Sequence, residues 1–154
     1  LCATTAYAQT STTATALVDG IVNCRHVNVN VNQTAQSGGS STTLFYKVRD
    51  ACANIILFEG YGPIAASAYK VQQTSHALNV TTQHGVIALV WKSTNVQQQT
   101  FTSTATEKAN GMTVRRTVED QFFSSATAEG TVLGTQVLAG DRPATMSQIT
   151  QTTR

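Results

Sequence analysis

The chain has 154 residues, 26 of them threonine, with 41% hydrophobic residues, only 12% charged residues and a formal net charge of +2. A length of this order makes one domain with its own core, and the charged fraction is about half that of an average soluble protein. Ten basic against eight acidic residues leave no electrostatic footprint for nucleic acid, and no apolar run approaches the roughly 18 residues of a membrane-spanning helix.

The first residues hold the small-x-small triplet Ala6-Tyr7-Ala8 behind Leu1-Cys2-Ala3. It reads either as the remnant of an export signal, with the mature chain starting at Gln9, or as a Thr/Ala-rich tail. Residues 1–15 are therefore expected to be a signal remnant or extended tail, and 16–154 a single domain. A segment so poor in apolar residues orders most cheaply by adding as a strand to an exposed sheet edge. Ala16, Leu17 and Val18 are the candidate anchors of such an assembly.

From there the dominant period is two. Val27, Val29 and Val31 alternate with His26, Asn28, Asn30 and Asn32, the pattern of a half-buried strand. A polar loop around Gly38-Gly39 leads to a strand over 43–49, with Leu44, Tyr46 and Val48 opposite Phe45, Lys47 and Arg49. The continuous run Ile55-Ile56-Leu57-Phe58 reads as a central strand buried on both sides. Gly60-Tyr61-Gly62-Pro63 turns the chain. Segments 65–71 and 76–82 are weaker strand candidates, and Val86–Trp91 is the strongest core strand. A polar strand over 96–106 carries Thr100, Thr102, Thr104 and Thr106 on one face, and Asn110-Gly111 marks a turn. Strands over 112–119, 121–132 and 144–152 complete the chain. With no helical apolar period over three turns, the expected fold is all-β: an antiparallel β-sandwich, immunoglobulin-like or jelly-roll-like, of about eight to ten strands.

Cys24 and Cys52 are 28 residues apart in strand-like segments. They form either a disulfide or two buried thiols, and the signs of export favour the disulfide. Cys2 is then odd, removed with the signal or free for an intermolecular bond. Catalytic signatures are missing: there is no nucleophile elbow, Walker loop, His-Glu-x-x-His or Cys-x-x-Cys. Cys24-x-His26 supplies only half of a metal site. Glu119-Asp120 and Arg115-Arg116 are adjacent pairs that a strand splits between its two faces. No catalytic residue, cofactor or metal is expected. Asn32-Gln33-Thr34 and Asn79-Val80-Thr81 match the glycosylation pattern, which arises easily by chance in so Asn- and Thr-rich a chain.

Glu59-Gly60-Tyr61-Gly62-Pro63-Ile64, then Gly85-Val86-Ile87-Ala88-Leu89-Val90-Trp91, then Ser125-Ala126-Thr127-Ala128-Glu129-Gly130 occur in this order. In this the chain resembles a loose group of secreted bacterial all-β proteins with no established activity, over roughly residues 43–140. The resemblance implies export and an all-β fold, and no site residues.

The expectation from sequence is an extracellular structural protein, a cell-surface or fibre-forming subunit that assembles with copies of itself through its N-terminal tail. The alternative is a secreted adhesive or lectin-like module that meets glycans or a cell surface, with Tyr61 and Tyr69 as possible ligand contacts. Trp91, at the end of the most apolar strand, reads as core. An enzyme of unrecognised class is a distant third.

Overall fold

A computed structural model of the chain describes residues 9–36, 38–72, 74–99, 105–109, 112–138 and 144–153, with side chains over 12–36, 38–72, 74–93 and 126–138. Cys2, the Ala6-Tyr7-Ala8 triplet, Thr100, Thr102 and Thr104 of the threonine ladder and the Asn110-Gly111 turn lie outside the described residues. So do the side chains of Thr106, Arg115, Arg116, Glu119 and Asp120.

The strands are β1 (Gln9–Val22), β2 (Arg25–Gln36), β3 (Gly39–Asp50), β4 (Ile55–Ile64), β5 (Tyr69–Val71), β6 (Ser75–Thr82), β7 (Gly85–Gln99), β8 (Ala105–Ala109), β9 (Met112–Val132), β10 (Thr135–Val137) and β11 (Ala144–Thr153), with one 3₁₀ turn at Ala66–Ala68. All pairings are antiparallel, in the order β4-β3-β2-β1-β11-β9-β7-β6-β5. β8 continues the line of β7 along β9, and β10 lies on the β11 side of β9.

The ladder curls so that its two halves face each other as the layers of a sandwich. One core cluster joins Val18, Val29 and Val48 of the first half to Leu78, Leu89, Trp91 and Val132 of the second. Trp91 is fully buried, as its strand position implied, and its Nε1 donates to the Leu17 carbonyl at 3.2 Å. The all-β antiparallel sandwich expected from the sequence is present. Its connectivity is two antiparallel meanders, β1 to β4 and β5-β6-β7-β9-β11, joined where β1 pairs with β11. Among the described strands there are none of the crossovers of the immunoglobulin-like and jelly-roll-like orders.

Alternation works as the valines predicted. Val27, Val29 and Val31 are fully buried, and Leu44, Tyr46 and Val48 face them from β3. The domain boundary expected after residue 15 instead falls inside β1. Residues 9–15 pair with β11 and residues 12–15 also pair with β2, because β-branched Thr and small Ala fit a pleated layer without needing a large apolar side chain. Ala16 and Val18 are fully buried and Leu17 is half-buried, so the three expected anchors belong to this chain's own sheet.

Ile55-Ile56 overturns the reading of a doubly buried strand. β4 pairs with β3 alone and forms an edge, and both isoleucines are 53% exposed. A bulge between Val48 and Arg49 in the β3–β4 register and Pro63 further along both disrupt the regular edge, two devices that discourage unwanted pairing.

Cys24 and Cys52 form a disulfide, with Cα atoms 5.4 Å apart. Both lie in turns rather than strands, and both are exposed. Asn23 and Cys24 have φ of 44° and 65°, the left-handed pair that a two-residue hairpin turn requires. The Ala51 N–H donates to the Cys24 carbonyl at 2.6 Å, and Asp50 Oδ1 accepts from the N–H groups of Cys52 and Ala53 at 3.0 and 2.9 Å. The bond thus ties the β1–β2 and β3–β4 turns together. For a separation of 28 residues, loop closure stabilises the fold by about 3–4 kcal/mol.

Candidate binding cleft

Where the open edges of the curled ladder approach each other, the two layers leave a cleft of about 230 Å³. Tyr46, Gly60, Tyr61 and Pro63 line one side, and Thr81, Thr82 and Gln83 the other. The inner wall begins with a glycine requirement. Gly60 lies directly across from Tyr46 in the β3–β4 register, and the Tyr46 ring occupies the volume that a Cβ at position 60 would need. A tyrosine covering a glycine on the neighbouring strand fills an otherwise empty patch of sheet.

The Tyr46 hydroxyl then reaches across the sandwich and shares a 2.8 Å hydrogen bond with His84 Nδ1. His84 also meets the Tyr46 ring edge-on at 5.9 Å between centroids and lies tilted on Phe58 at 5.5 Å. Its place is set by the β6–β7 turn, where the His84 N–H donates to Thr82 Oγ1 at 3.1 Å and that hydroxyl donates to the Gly85 carbonyl at 2.8 Å. The sequence holds three histidines, His26, His76 and His84, and no local pattern sets His84 apart from the others. Its role depends on β3 and the β6–β7 turn meeting across the interior, which has no local signature.

Of the two tyrosines expected as ligand contacts, one is exposed and the other is buried. Tyr61 is 78% exposed at the cleft wall. Tyr69 is 1% exposed, paired with Leu78 and set 5.6 Å from the His76 ring, so it is a core residue. The alternation of β5 turns Tyr69 inward and Lys70 outward, and burial pushes the Tyr69 hydroxyl pKa well above its usual value.

Cys24-x-His26 is not half of a metal site. Cys24 is in the disulfide, and His26 Nε2 is 2.6 Å from Asp19 Oδ1. Among the described residues, no three His, Cys, Asp or Glu side chains are grouped as metal ligands, and no helix is long and apolar enough to cross a membrane.

A larger groove of about 860 Å³ lies between the β1–β2 and β9–β10 turns, with Ile21 and Leu138 on its rim and Arg25 as its charged residue. It has no aromatic ring among its lining residues. The smaller cleft combines aromatic faces with hydroxyl and amide side chains, the mixture that holds and orients a small ligand.

No protein-family model matches the chain, and no curated protein does. Among solved structures, the chain is similar to a Nitrosomonas europaea protein described as a "putative AttH", with 9% identity and a TM-score of 0.37. The match covers 96% of this chain and 51% of that one, so this chain spans about half the length of that protein.

Proposed function

We propose that the protein is an exported, non-catalytic binding module that holds a carbohydrate ring in the cleft between β4 and β6. The observation that carries this reading is Tyr61, a large aromatic side chain 78% exposed beside a cleft whose other wall is Thr81, Thr82 and Gln83. A sugar ring presents an apolar face to an aromatic side chain and hydroxyls at its edge, which match those polar groups. At about 230 Å³ the cleft is smaller than the roughly 300–1,000 Å³ of sites that enclose a whole drug-sized ligand, which suits one ring of a longer chain. Export is supported by the exposed disulfide, since such bonds persist in oxidising compartments.

The strand-donor role foreseen for Ala16, Leu17 and Val18 is not the one this geometry favours. All three are paired on both sides, to β2 and β11 of their own chain. Donating them to another copy would leave a gap in the middle of the donor's ladder.

The test is titration of a panel of soluble polysaccharides against the wild type and Tyr61→Ala. Binding by the wild type, weakened about tenfold or more in a variant with an unchanged melting temperature, is expected for the loss of one stacking face. No binding to any polysaccharide, or equal binding by the variant, would overturn the reading.

A further inference from the structure

The outer face of the second layer carries a charge pattern that no ion pair among the described residues uses. Because Tyr69, Leu78, Leu89 and Trp91 point inward, the alternate residues of β5, β6 and β7 point out. Register places Lys70, Ala77, Val90 and Glu129 in one row across β5, β6, β7 and β9. With strands about 4.8 Å apart, Lys70 and Glu129 stand about 14 Å apart at the two ends of the row. Both are exposed, and neither has an ion-pair partner among the described residues. Between them lies a shallow depression of about 390 Å³, floored by Ala77, Ala88 and Gly130. Gly130 is required there, since its φ is 142° and the Ala88 carbonyl fills the space of a Cβ. Val90 also lines the depression, at 38% exposure.

We propose that this face is where two copies of the chain meet, about a two-fold axis running along the strands between β6 and β7. Rotation about that axis lays each row on its own reverse. Lys70 then meets the partner's Glu129, and Glu129 meets the partner's Lys70. Ala77 meets the partner's Val90, so a small side chain faces a larger one. In the flanking rows Asn79 faces the partner's Ala88 and Ser75 faces the partner's Lys92. No like charges are opposed. This is the self-complementarity that a two-fold interface needs, and the aligned strands are those of ordinary sheet-on-sheet packing. Four strands over five residues bury about 300 Å² per copy, against about 800 Å² for a standard interface, so the dimer is weak and concentration-dependent.

Sedimentation velocity over a concentration series reaching about 1 mM reads an association of this class. The wild type is expected to dimerise reversibly. Lys70→Glu and Glu129→Lys are each expected to weaken dimerisation about tenfold or more, because each homodimer then opposes like charges twice. An equimolar mixture of the two variants should recover association. In the mixed dimer the carboxylate introduced by one substitution meets the ammonium introduced by the other, and at the second contact the native Glu129 meets the native Lys70. Both positions are exposed, and circular dichroism verifies that each variant is folded. A wild type that stays monomeric throughout would overturn the proposal. Single variants that associate like the wild type would do the same, as would a mixture no tighter than its components. Pairing through the open β4 edge would give the second of these results.

Discussion

His76 places a protonable ring where no water reaches it, at 0% exposure, across from Trp91 and beside Tyr69. Burial lowers its pKa from 6.5 to about 4. Between those two values the unfolded chain binds a proton that the folded chain does not. Stability is therefore complete above about pH 6.5 and falls as the pH drops toward 4, by up to about 3 kcal/mol. His76→Phe, which keeps a flat ring beside Tyr69, is expected to flatten this part of the stability curve. Urea denaturation at a series of pH values checks it, and parallel curves for variant and wild type would show that another group is responsible. Tyr69, the neighbour of His76, also shows where reading single residues from sequence stops. Tyr61 and Tyr69 were equivalent candidates because a three-residue strand such as β5 is too short to reveal which parity faces inward. Only its pairing, Tyr69 with Leu78, decides that.

At the scale of elements, legibility followed the strength of the two-residue period. In β2 and β3 the alternation is unbroken, and a slip of one residue would expose three valines, so faces and register were both readable. In β4 the run Ile55–Phe58 has no alternation. Whether such a strand is central or at an edge depends on how many neighbours it acquires, which is a property of the rest of the chain. β1 is the opposite case. Its Thr/Ala composition looks like a tail, yet pairing with β11, from Val18–Ala144 to Gln9–Thr153, makes it an interior strand. This leads to a specific expectation. Removing residues 1–15 deletes the pairing of 9–15 with β11 and of 12–15 with β2, and takes Ala14 from the core. Against a total stability of about 5–15 kcal/mol, loss of half an interior strand should leave the chain largely unfolded at room temperature. A cooperative melt near that of the full chain, followed by circular dichroism, would show that the ladder does not depend on β1.

Over the whole molecule, the order of the ladder and the order of the sequence differ at one place only. Moving from β5 through β6, β7, β9 and β11 to β1 and on to β4, the path runs in chain order, passing over only β8 and β10, which pair with β9 beside it, and breaks that order at the step from β11 to β1. That step brings residues 9 and 153 side by side, while the exposed segment around Ala66–Ala68 carries the chain from one open edge of the ladder to the other. A circular permutant follows, with residues 153 and 9 joined by a short linker and new ends between Ser67 and Ala68. In it the path of the ladder follows chain order from end to end, and the ten longest-range pairings, those of β1 with β11, become local. The disulfide stays within an unbroken stretch, since Cys24 and Cys52 both precede the new ends. The cut removes little, because within the 3₁₀ turn the Ala68 N–H bonds only the Ala65 carbonyl. The permutant should therefore unfold cooperatively, with a stability within about 1–2 kcal/mol of the parent. It should also refold faster, since the cost of closing the longest loops is gone. Stopped-flow refolding of the two proteins with the disulfide intact measures both quantities. A permutant that folds no faster would mean that the rate is set by the closing of the two layers across Trp91 and Tyr46, contacts that permutation leaves long in sequence or makes longer.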